Sequence, residues 1–227
     1  PRLGRRGGPH LGGGPMNEAL DPTHAYDAAF ASGRADVIDA LGQTIPFEVH
    51  AWSGAPDGVD QALFIDPCDG PTIDVGCGPG RLVGEIARRG IRSLGIDFSA
   101  EAIRQARGRG AYALRRDVFS RVPGEGEWEY ALLADGNVGI GGDPVRLLRR
   151  VQEVLTPTGH TIVEIAGAGV GLVAEQRRLR VGDRQSAEFA WAVVGLDAIH
   201  EVAAAADLAI HEIRTVGQRH AVTLVRP

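Results

Sequence analysis

One segment near residue 75 constrains the fold of this chain more than any other. The apolar run Thr72–Val75 leads directly into three glycines, Gly76, Gly78 and Gly80, and an amphipathic stretch begins at Arg81. This order predicts a buried strand, a tight turn and the start of a helix. Glycine lets the backbone of such a turn approach a ligand closely, because no Cβ intervenes. The segment therefore predicts an open α/β sheet that binds a ligand at the carboxyl end of its strands.

Strand-like and helix-like segments alternate from residue 72 to residue 165. Ser99 and the pair Asp143-Pro144 mark helix starts, because a short polar side chain caps a helix and proline fits its first turn. Apolar alternation on both sides of Gly217–Arg219 predicts a final antiparallel hairpin over 209–225. The βα alternation before it predicts a parallel sheet with helices on both faces. The predicted strands are 72–75, 93–97, 112–115, 129–134 and 161–165, and the predicted helices are 80–89, 100–107, 144–155 and 197–208.

A second acid narrows the class of ligand. The short strand Leu94–Asp97 ends in a carboxylate, about where the two hydroxyls of a ribose are bound in sheets of this kind. A cofactor that contains adenosine is therefore expected. A dinucleotide site would have the spacing Gly-x-Gly-x-x-Gly, and the residue in the third glycine position is Arg81. Asp74 would also be unfavourable beside a pyrophosphate, whereas it suits a cationic amino group.

The segment Asp74–Gly80 reads DVGCGPG. It resembles motif I of the class I S-adenosylmethionine (SAM) methyltransferases, whose usual form is close to E/D-x-G-x-G-x-G. The resemblance implies an α/β, Rossmann-like, doubly wound fold with a seven-strand, mostly parallel sheet and a C-terminal antiparallel β-hairpin. It also implies methyl transfer from SAM to an acceptor, with release of S-adenosylhomocysteine (SAH) and no metal. The further segments that carry the resemblance are Asp97, Asp117, Tyr130–Asn137 and Leu147–His160.

The same resemblance implies which residues bind the cofactor. The motif I loop is expected to hold the methionine end, Asp97 the ribose, and the residues near Asp117 the adenine. The polar end of the fourth strand, at Asp135, is expected to lie next to the methyl group. The expected cofactor-binding residues are Asp74, Gly76, Cys77, Gly78, Gly80, Asp97, Phe98, Asp117, Val118, Asp135, Gly136 and Asn137.

Methyl transfer from a sulfonium requires close alignment of the nucleophile, and a base only where the acceptor arrives protonated. Asp135 and Asn137 are candidates to orient the cofactor or the acceptor. His50 is the best candidate for a base, because the N-terminal segment is expected to cap the site. Trp52 and Trp191 are the candidate substrate contacts. Two other functions stay open, an NAD(P)-dependent oxidoreductase and a non-catalytic SAM-binding protein.

Composition limits the partners of the protein. The formal charge is −5 with no basic stripe outside the first residues, which disfavours nucleic acid and favours a small-molecule acceptor. No apolar run approaches the length of a membrane span. The two cysteines, Cys68 and Cys77, predict reduced thiols in the cytoplasm. A monomer or a homodimer is expected. All 24 basic residues are arginine, which together with abundant Ala and Gly resembles actinobacterial proteins.

Three regions are expected along the chain. Residues 1–15 are rich in Gly and Pro and precede the single methionine, Met16, so they predict a disordered extension, native or introduced. Residues 16–70 predict a helical cap, with Val37–Leu41 as one amphipathic helical piece. Residues 71–227 predict the core, with an insert at 167–194 over the substrate pocket. The arginines at 177–184 predict either a solvated helix face or a surface that steers an anionic acceptor.

Overall fold

The computed structural model describes residues 19–47 and 49–227, so the predicted extension at 1–15 lies outside the described residues. A π-helix at Gln61–Ile65 continues directly from the short helix at Gly58–Asp60, and a 3-10 turn lies at Asn137–Gly139. The helices are α1 Pro22–Ser32, α2 Val49–Ser53, α3 Gly58–Asp60, α4 Arg81–Arg88, α5 Ala100–Gly108, α6 Pro144–Val154 and α7 Ile199–Ala205. The strands are β1 Ala35–Ile38, β2 Thr44–Phe47, β3 Thr72–Val75, β4 Ser93–Asp97, β5 Ala113–Arg115, β6 Trp128–Leu133, β7 Leu155–Ile165, β8 Leu172–Val181, β9 Arg184–Gln185, β10 Phe189–Val194, β11 Ala209–Val216 and β12 Arg219–Val225.

The larger sheet confirms the predicted α/β fold. Its seven strands run in the order β11-β12-β7-β6-β3-β4-β5. The pairs from β7 to β5 are parallel, and the C-terminal hairpin β11–β12 joins β7 antiparallel. The chain leaves β3 toward β4 and β5 and then returns to β6 on the other side of β3. Adjacent strands whose connections depart in opposite directions leave a crevice at their carboxyl ends, where ligands bind in folds of this kind.

Buried strands and capped helices hold this sheet together. Both β3 and β4 are buried at every position, as expected of central parallel strands. Leu148 of α6 and Val163 of β7 belong to the main apolar cluster, and full burial of such a side chain contributes about 1.5–3 kcal/mol. The predicted caps are confirmed, because Ser99 Oγ accepts from Ala102 N at 3.1 Å and Asp143 Oδ1 accepts from Arg146 N at 3.0 Å.

A second sheet corrects the sequence interpretation of two segments. Its strands run in the order β10-β8-β1-β2, with β9 paired to β8, and all of its pairs are antiparallel. Val37–Leu41 is therefore not helical, since Val37 lies in β1 opposite Leu179. The arginines at 177–184 lie on strands rather than on a helix face. The reason is long-range pairing, which also joins Asp36 to Arg180 by an ion pair of 2.8 Å.

The N-terminal region is thus only partly helical. Helix α1 is fixed to α5, because Asp27 Oδ1 accepts from Ser99 Oγ at 2.5 Å and from Glu101 N at 3.1 Å. The region also contributes β1 and β2 to the second sheet, beside strands of the predicted insert. We call residues 20–47, 49–53 and 172–194 together the roof. The predicted cap and insert therefore meet in one substructure, although about 120 residues separate them in sequence.

Candidate active site

A cavity of about 800 Å³ lies between the carboxyl ends of β3, β4, β6 and β7 and the roof. Its volume is near the upper end of the roughly 300–1,000 Å³ that is usual for one drug-sized ligand, so it has room for a cofactor and a small acceptor. Two of the predicted residues, Gly80 and His50, do not line it. Those that line it are Asp74, Gly76, Cys77, Gly78, Asp97, Phe98, Asp117, Val118, Asp135, Gly136, Asn137, Trp52 and Trp191.

The motif I loop is held in place by the loop after β6. Asn137 Nδ2 donates to the carbonyl oxygens of Val75 at 3.1 Å and of Gly76 at 2.9 Å. A Cβ on Gly76 would lie 2.6 Å from that same nitrogen, and φ at Gly76 is +73°. Glycine is therefore required at this position, both by the backbone conformation and by the close approach of the asparagine. Asn137 therefore stabilises the conformation of the motif I loop.

Asp97 bridges the loop and the next helix. Its Oδ2 accepts from Gly78 N at 3.0 Å, and its Oδ1 accepts from Ser99 N at 2.8 Å. Burial raises the pKa of Asp97 to about 6, although these backbone hydrogen bonds oppose the shift. A carboxylate oxygen has more than one acceptor site, so Asp97 keeps the capacity to accept from a ligand hydroxyl in the cavity that it lines.

Asp74 and Cys77 are the two most buried ionisable groups of the loop. Burial raises the pKa of Asp74 to about 7, and the nearby charge of Asp135 adds to the shift. A cation in the cavity would favour the ionised form of Asp74. Burial also raises the pKa of the Cys77 thiol well above its usual value, so Cys77 stays protonated and unreactive.

Asp135 belongs to an ionic cluster that the sequence interpretation missed. The acid–arginine cluster has Arg81 Nη2 at 2.6 Å from Asp135 Oδ2, Arg219 Nη1 at 2.8 Å from Asp60 Oδ1, and Arg219 Nη2 at 2.9 Å from Glu164 Oε2. Arg81 also pairs with Asp60. With every group ionised, three acids face two arginines, which leaves a net negative charge beside the cavity.

The cluster also fixes an unusual backbone. Asp135 has φ +53°, a left-handed conformation that only a small share of non-glycine residues adopt. Its N–H donates to Glu164 Oε2 at 2.6 Å, which ties this conformation to β7.

The place of Arg219 in the cluster could have been predicted from its position in the C-terminal hairpin. As the first residue of an antiparallel strand next to β7, it must lie at the same edge as the carboxyl ends of the parallel strands.

Gly80 and His50 are placed differently from the sequence expectation. Gly80 begins α4 with φ +84°, and a Cβ there would lie 2.8 Å from Ala106 Cβ, so its role is close packing against α5. His50 is exposed on the short helix α2, with its ring beside Gly33. The neighbouring buried position is Val49, and Trp52 is the α2 residue that lines the cavity. The structure therefore gives no geometric support for His50 as a base.

Aromatic side chains line the roof side of the cavity. Phe47 contacts Trp52 edge to face, with a centroid distance of 4.6 Å, and Phe189 contacts Trp191 at 6.4 Å. Asp117 lies at the exposed end of the cavity, where its Oδ1 accepts from Phe119 N at 2.9 Å, and the neighbouring Val118 is buried. The roof aromatics are Tyr26, Phe30, Phe47, Trp52, Phe189 and Trp191.

Within 19–47 and 49–227, no group of three or more His, Cys, Asp or Glu side chains is arranged to hold a metal ion. Within the same ranges, no helix combines the length and the apolar character that crossing a bilayer requires.

Comparisons with known proteins agree with this geometry. Residues 73–159 match the family model described as a methyltransferase domain. The chain is similar in structure to a SAM-dependent methyltransferase from Bacteroides fragilis in complex with SAH, with a TM-score of 0.74, 20% identity, and coverage of 93% of this chain and 100% of that chain. A search of curated proteins gave no significant match.

Two further solved structures share the fold at lower similarity. The 1,6-didemethyltoxoflavin-N1-methyltransferase of Burkholderia thailandensis has a TM-score of 0.52 and 17% identity, over 69% of this chain and 70% of that chain. The CcbJ methyltransferase of Streptomyces caelestis has a TM-score of 0.57 and 13% identity, over 77% and 92%. At these identities the likeness concerns the fold. Residues 73–159 thus form a methyltransferase domain, and the seven-strand sheet that carries it has the fold of SAM-dependent methyltransferases.

Proposed function

We propose that the protein transfers the methyl group of SAM to a small-molecule acceptor and releases SAH. One observation carries the proposal. The motif I loop and the acids at the carboxyl ends of β4, β5 and β6, which are Asp97, Asp117 and Asp135, all line one cavity. The Burkholderia relative binds 1,6-didemethyltoxoflavin, which is in keeping with a small acceptor. The two free and buried cysteines suit a reducing compartment, so we place the activity in the cytoplasm.

The donor set fits SAM better than a dinucleotide. Asp74, Asp97, Asp135 and Glu164 all line the cavity, which favours a cationic ligand with hydroxyl groups. A pyrophosphate would meet these four acids, and the third glycine position that a dinucleotide site requires is occupied by the buried, ion-paired Arg81. The charges in the cavity therefore argue against the oxidoreductase alternative.

We assign the cofactor contacts to the residues that line the cavity. Asp74 and the backbone of Gly76 and Gly78 hold the methionine end, and Asp97 holds the ribose hydroxyls. Asp117 and Val118 border the adenine. Gly80 is excluded from this assignment, because its place is in the packing of α4 on α5.

The protein acts mainly by binding and exclusion of water. SAM supplies the methyl group on a sulfonium, a good leaving group that needs no protein nucleophile. The roof aromatics exclude water from the acceptor side, and the acid–arginine cluster fixes Asp135 at the cavity edge. Asp135 and Asn137 are positioning residues in this proposal. No histidine lines the cavity among the described residues, so we propose no histidine base.

Calorimetric titration of the purified protein with SAM, SAH and NADH tests the proposal. We expect micromolar binding of SAM and SAH and none of NADH. Asp74→Asn should weaken SAM binding by about tenfold or more, because it removes a charged partner of the cofactor's amino group. Asp183→Asn, at an exposed turn residue, is the matched control and should bind as the wild type does. NADH binding without SAM binding would overturn the proposal.

Binding alone does not separate an enzyme from a non-catalytic SAM-binding protein. Release of SAH from SAM in the presence of candidate acceptors makes that distinction. An acceptor-dependent rate supports the enzyme. Tight SAM binding with no SAH release across a broad acceptor panel would favour the non-catalytic alternative.

A further inference from the structure

Arg177 of β8 has unused hydrogen-bonding capacity in the cavity. Its Nε donates to Glu175 Oε1 at 2.7 Å, and its guanidinium lines the cavity. Neither of its terminal nitrogens donates a hydrogen bond to any other described residue. The side chain is only 18% exposed, so most of its hydration shell is lost. Glu175 already forms an ion pair with Arg177, and the two terminal nitrogens of the guanidinium can bind a second anionic group.

Strand alternation separates Arg177 from its arginine neighbours. Arg178 points to the other face of β8 and pairs with Glu188 there, while Arg180 pairs with Asp36. Neither of these two lines the cavity, whereas Arg177 does. Of the two interpretations of the arginine cluster, surface solvation thus fits Arg178 and Arg180, and steering of an anionic acceptor fits Arg177.

Tyr26, which also lines the cavity, offers a second hydrogen-bond donor. Its hydroxyl has no hydrogen-bond partner among the described residues, and its ring contacts Phe189 edge to face at 5.7 Å. Burial raises the pKa of Tyr26 above its usual value, with Asp97 adding to the shift and Arg177 opposing it, so the hydroxyl stays protonated. Tyr26 can therefore donate a hydrogen bond to an acceptor oxygen.

The aromatic side chains and the charges around the cavity indicate what kind of acceptor fits beside Arg177. The chain has twelve Phe, Tyr and Trp residues, and half of them are roof aromatics. The Arg177 Cζ lies 6.0 Å from the centroid of Trp191, so the anion site and an aromatic wall adjoin. The opposite side of the cavity carries Asp74, Asp97 and Asp135. A cation is favoured on that side, whereas on the roof side the terminal nitrogens of Arg177 are available to an anion.

We infer that the acceptor is a flat aromatic compound that carries an oxyanion such as a carboxylate, which Arg177 and Tyr26 bind beside the ring of Trp191. The inference rests on the proposed function and specifies its acceptor. Aromatic stacking supplies affinity for the ring, and the guanidinium supplies selectivity for the charge.

Calorimetry on the SAH-saturated protein tests the inference with three probes that differ in one property each. The probes are 2-naphthoate, the corresponding amide without the charge, and decahydro-2-naphthoate without the aromatic rings. We expect the naphthoate to bind at least about tenfold more tightly than either of the other two probes. The amide loses the charge-assisted hydrogen bonds, and the decahydro compound loses the aromatic stacking. Arg177→Gln should remove the preference for the naphthoate over the amide. Arg178→Gln, on the outer face of the same strand, is the matched control and should keep it.

The outcomes separate the two proposals. SAH binding with no probe bound, with equal binding of naphthoate and amide, or with the preference retained in Arg177→Gln would overturn the acceptor inference and leave the proposed function standing. Failure of SAH itself to bind would overturn the proposed function, and the acceptor inference with it. Loss of preference in both Arg177→Gln and Arg178→Gln would also contradict the specific role of Arg177.

Discussion

At the scale of single residues, the raised pKa of Asp74 links the cofactor to pH. A cationic ligand favours the ionised carboxylate, so binding should lower this pKa and release a proton near pH 7. We expect SAM affinity to rise between pH 5 and pH 8, with proton release seen as a dependence of the calorimetric heat on the buffer. Asp97, with a pKa of about 6, contributes in the same direction. The pH dependence should shrink in Asp74→Asn, and an unchanged dependence there would contradict the assignment.

Asp74 should make the folded protein less stable as the pH rises, whereas it makes SAM binding tighter. A carboxyl whose folded pKa lies above its unfolded value of 3.8 stabilises the fold below that value, and this contribution is lost as the pH rises through about 7. Asp74→Asn removes this pH-dependent loss of stability, because asparagine does not ionise, and its side-chain oxygen can still accept the backbone hydrogen bond from Val83. We expect its free energy of unfolding, relative to wild type, to improve by about 2–3 kcal/mol between pH 5 and pH 8. Urea titrations of both proteins at the two pH values measure this difference.

Gly80 offers a test of packing without chemistry. Gly80→Ala adds a Cβ that would lie 2.8 Å from Ala106 Cβ at φ +84°, so it combines backbone strain with overpacking. Gly90→Ala is the matched control, because Gly90 has φ +81° and open space around it. We expect Gly80→Ala to lose about 1–3 kcal/mol more stability than Gly90→Ala. Equal losses in denaturant titrations would show that the contact with Ala106 costs nothing.

At the scale of elements, the C-terminal hairpin is coupled to the cavity through Arg219. Arg219→Met leaves Asp60 and Glu164 with less compensation, which should cost about 3 kcal/mol, near the lower end for a broken buried pair because the side chain is 27% exposed. Arg214→Met removes an exposed pair with Glu212 in the same hairpin and should cost under about 1 kcal/mol. Thermal unfolding of the two variants measures these effects.

The elements also show how far sequence reasoning reaches. The glycine turn, the capped helices and the hairpin were predictable, because each rests on residues close together in sequence. The sequence pattern wrongly predicts a helix at Val37, because a four-residue strand has too few positions to reveal its period and its partner Leu179 is distant in the chain. Arg219 was missed for a similar reason. Arg219 matters because it forms ion pairs with Asp60 and Glu164, which are distant in sequence. In the sequence, only the predicted position of β12 beside β7 indicates that these residues lie close together.

At the scale of the whole molecule, the two sheets should differ in stability. The central strands β3 and β4 are buried throughout, whereas β2 and the first half of β8 are largely exposed. Local opening is easiest where few apolar contacts are broken. We expect amides of the roof strands to exchange hydrogen faster than those of β3 and β4, and to slow when SAH and an acceptor analogue bind. Hydrogen-exchange mass spectrometry would contradict this view if both sheets were equally protected.

The roof has a consequence for how the acceptor preference of this protein can be changed. Its strands come from two segments, 35–47 and 172–194, joined by the pairing of β1 with β8. A change in one segment alters the register that the other must match, so new preferences arise by paired change in both. To give this protein the acceptor preference of a relative, both segments must therefore be exchanged together. Exchange of the insert alone should yield a folded core with a poorly formed binding surface.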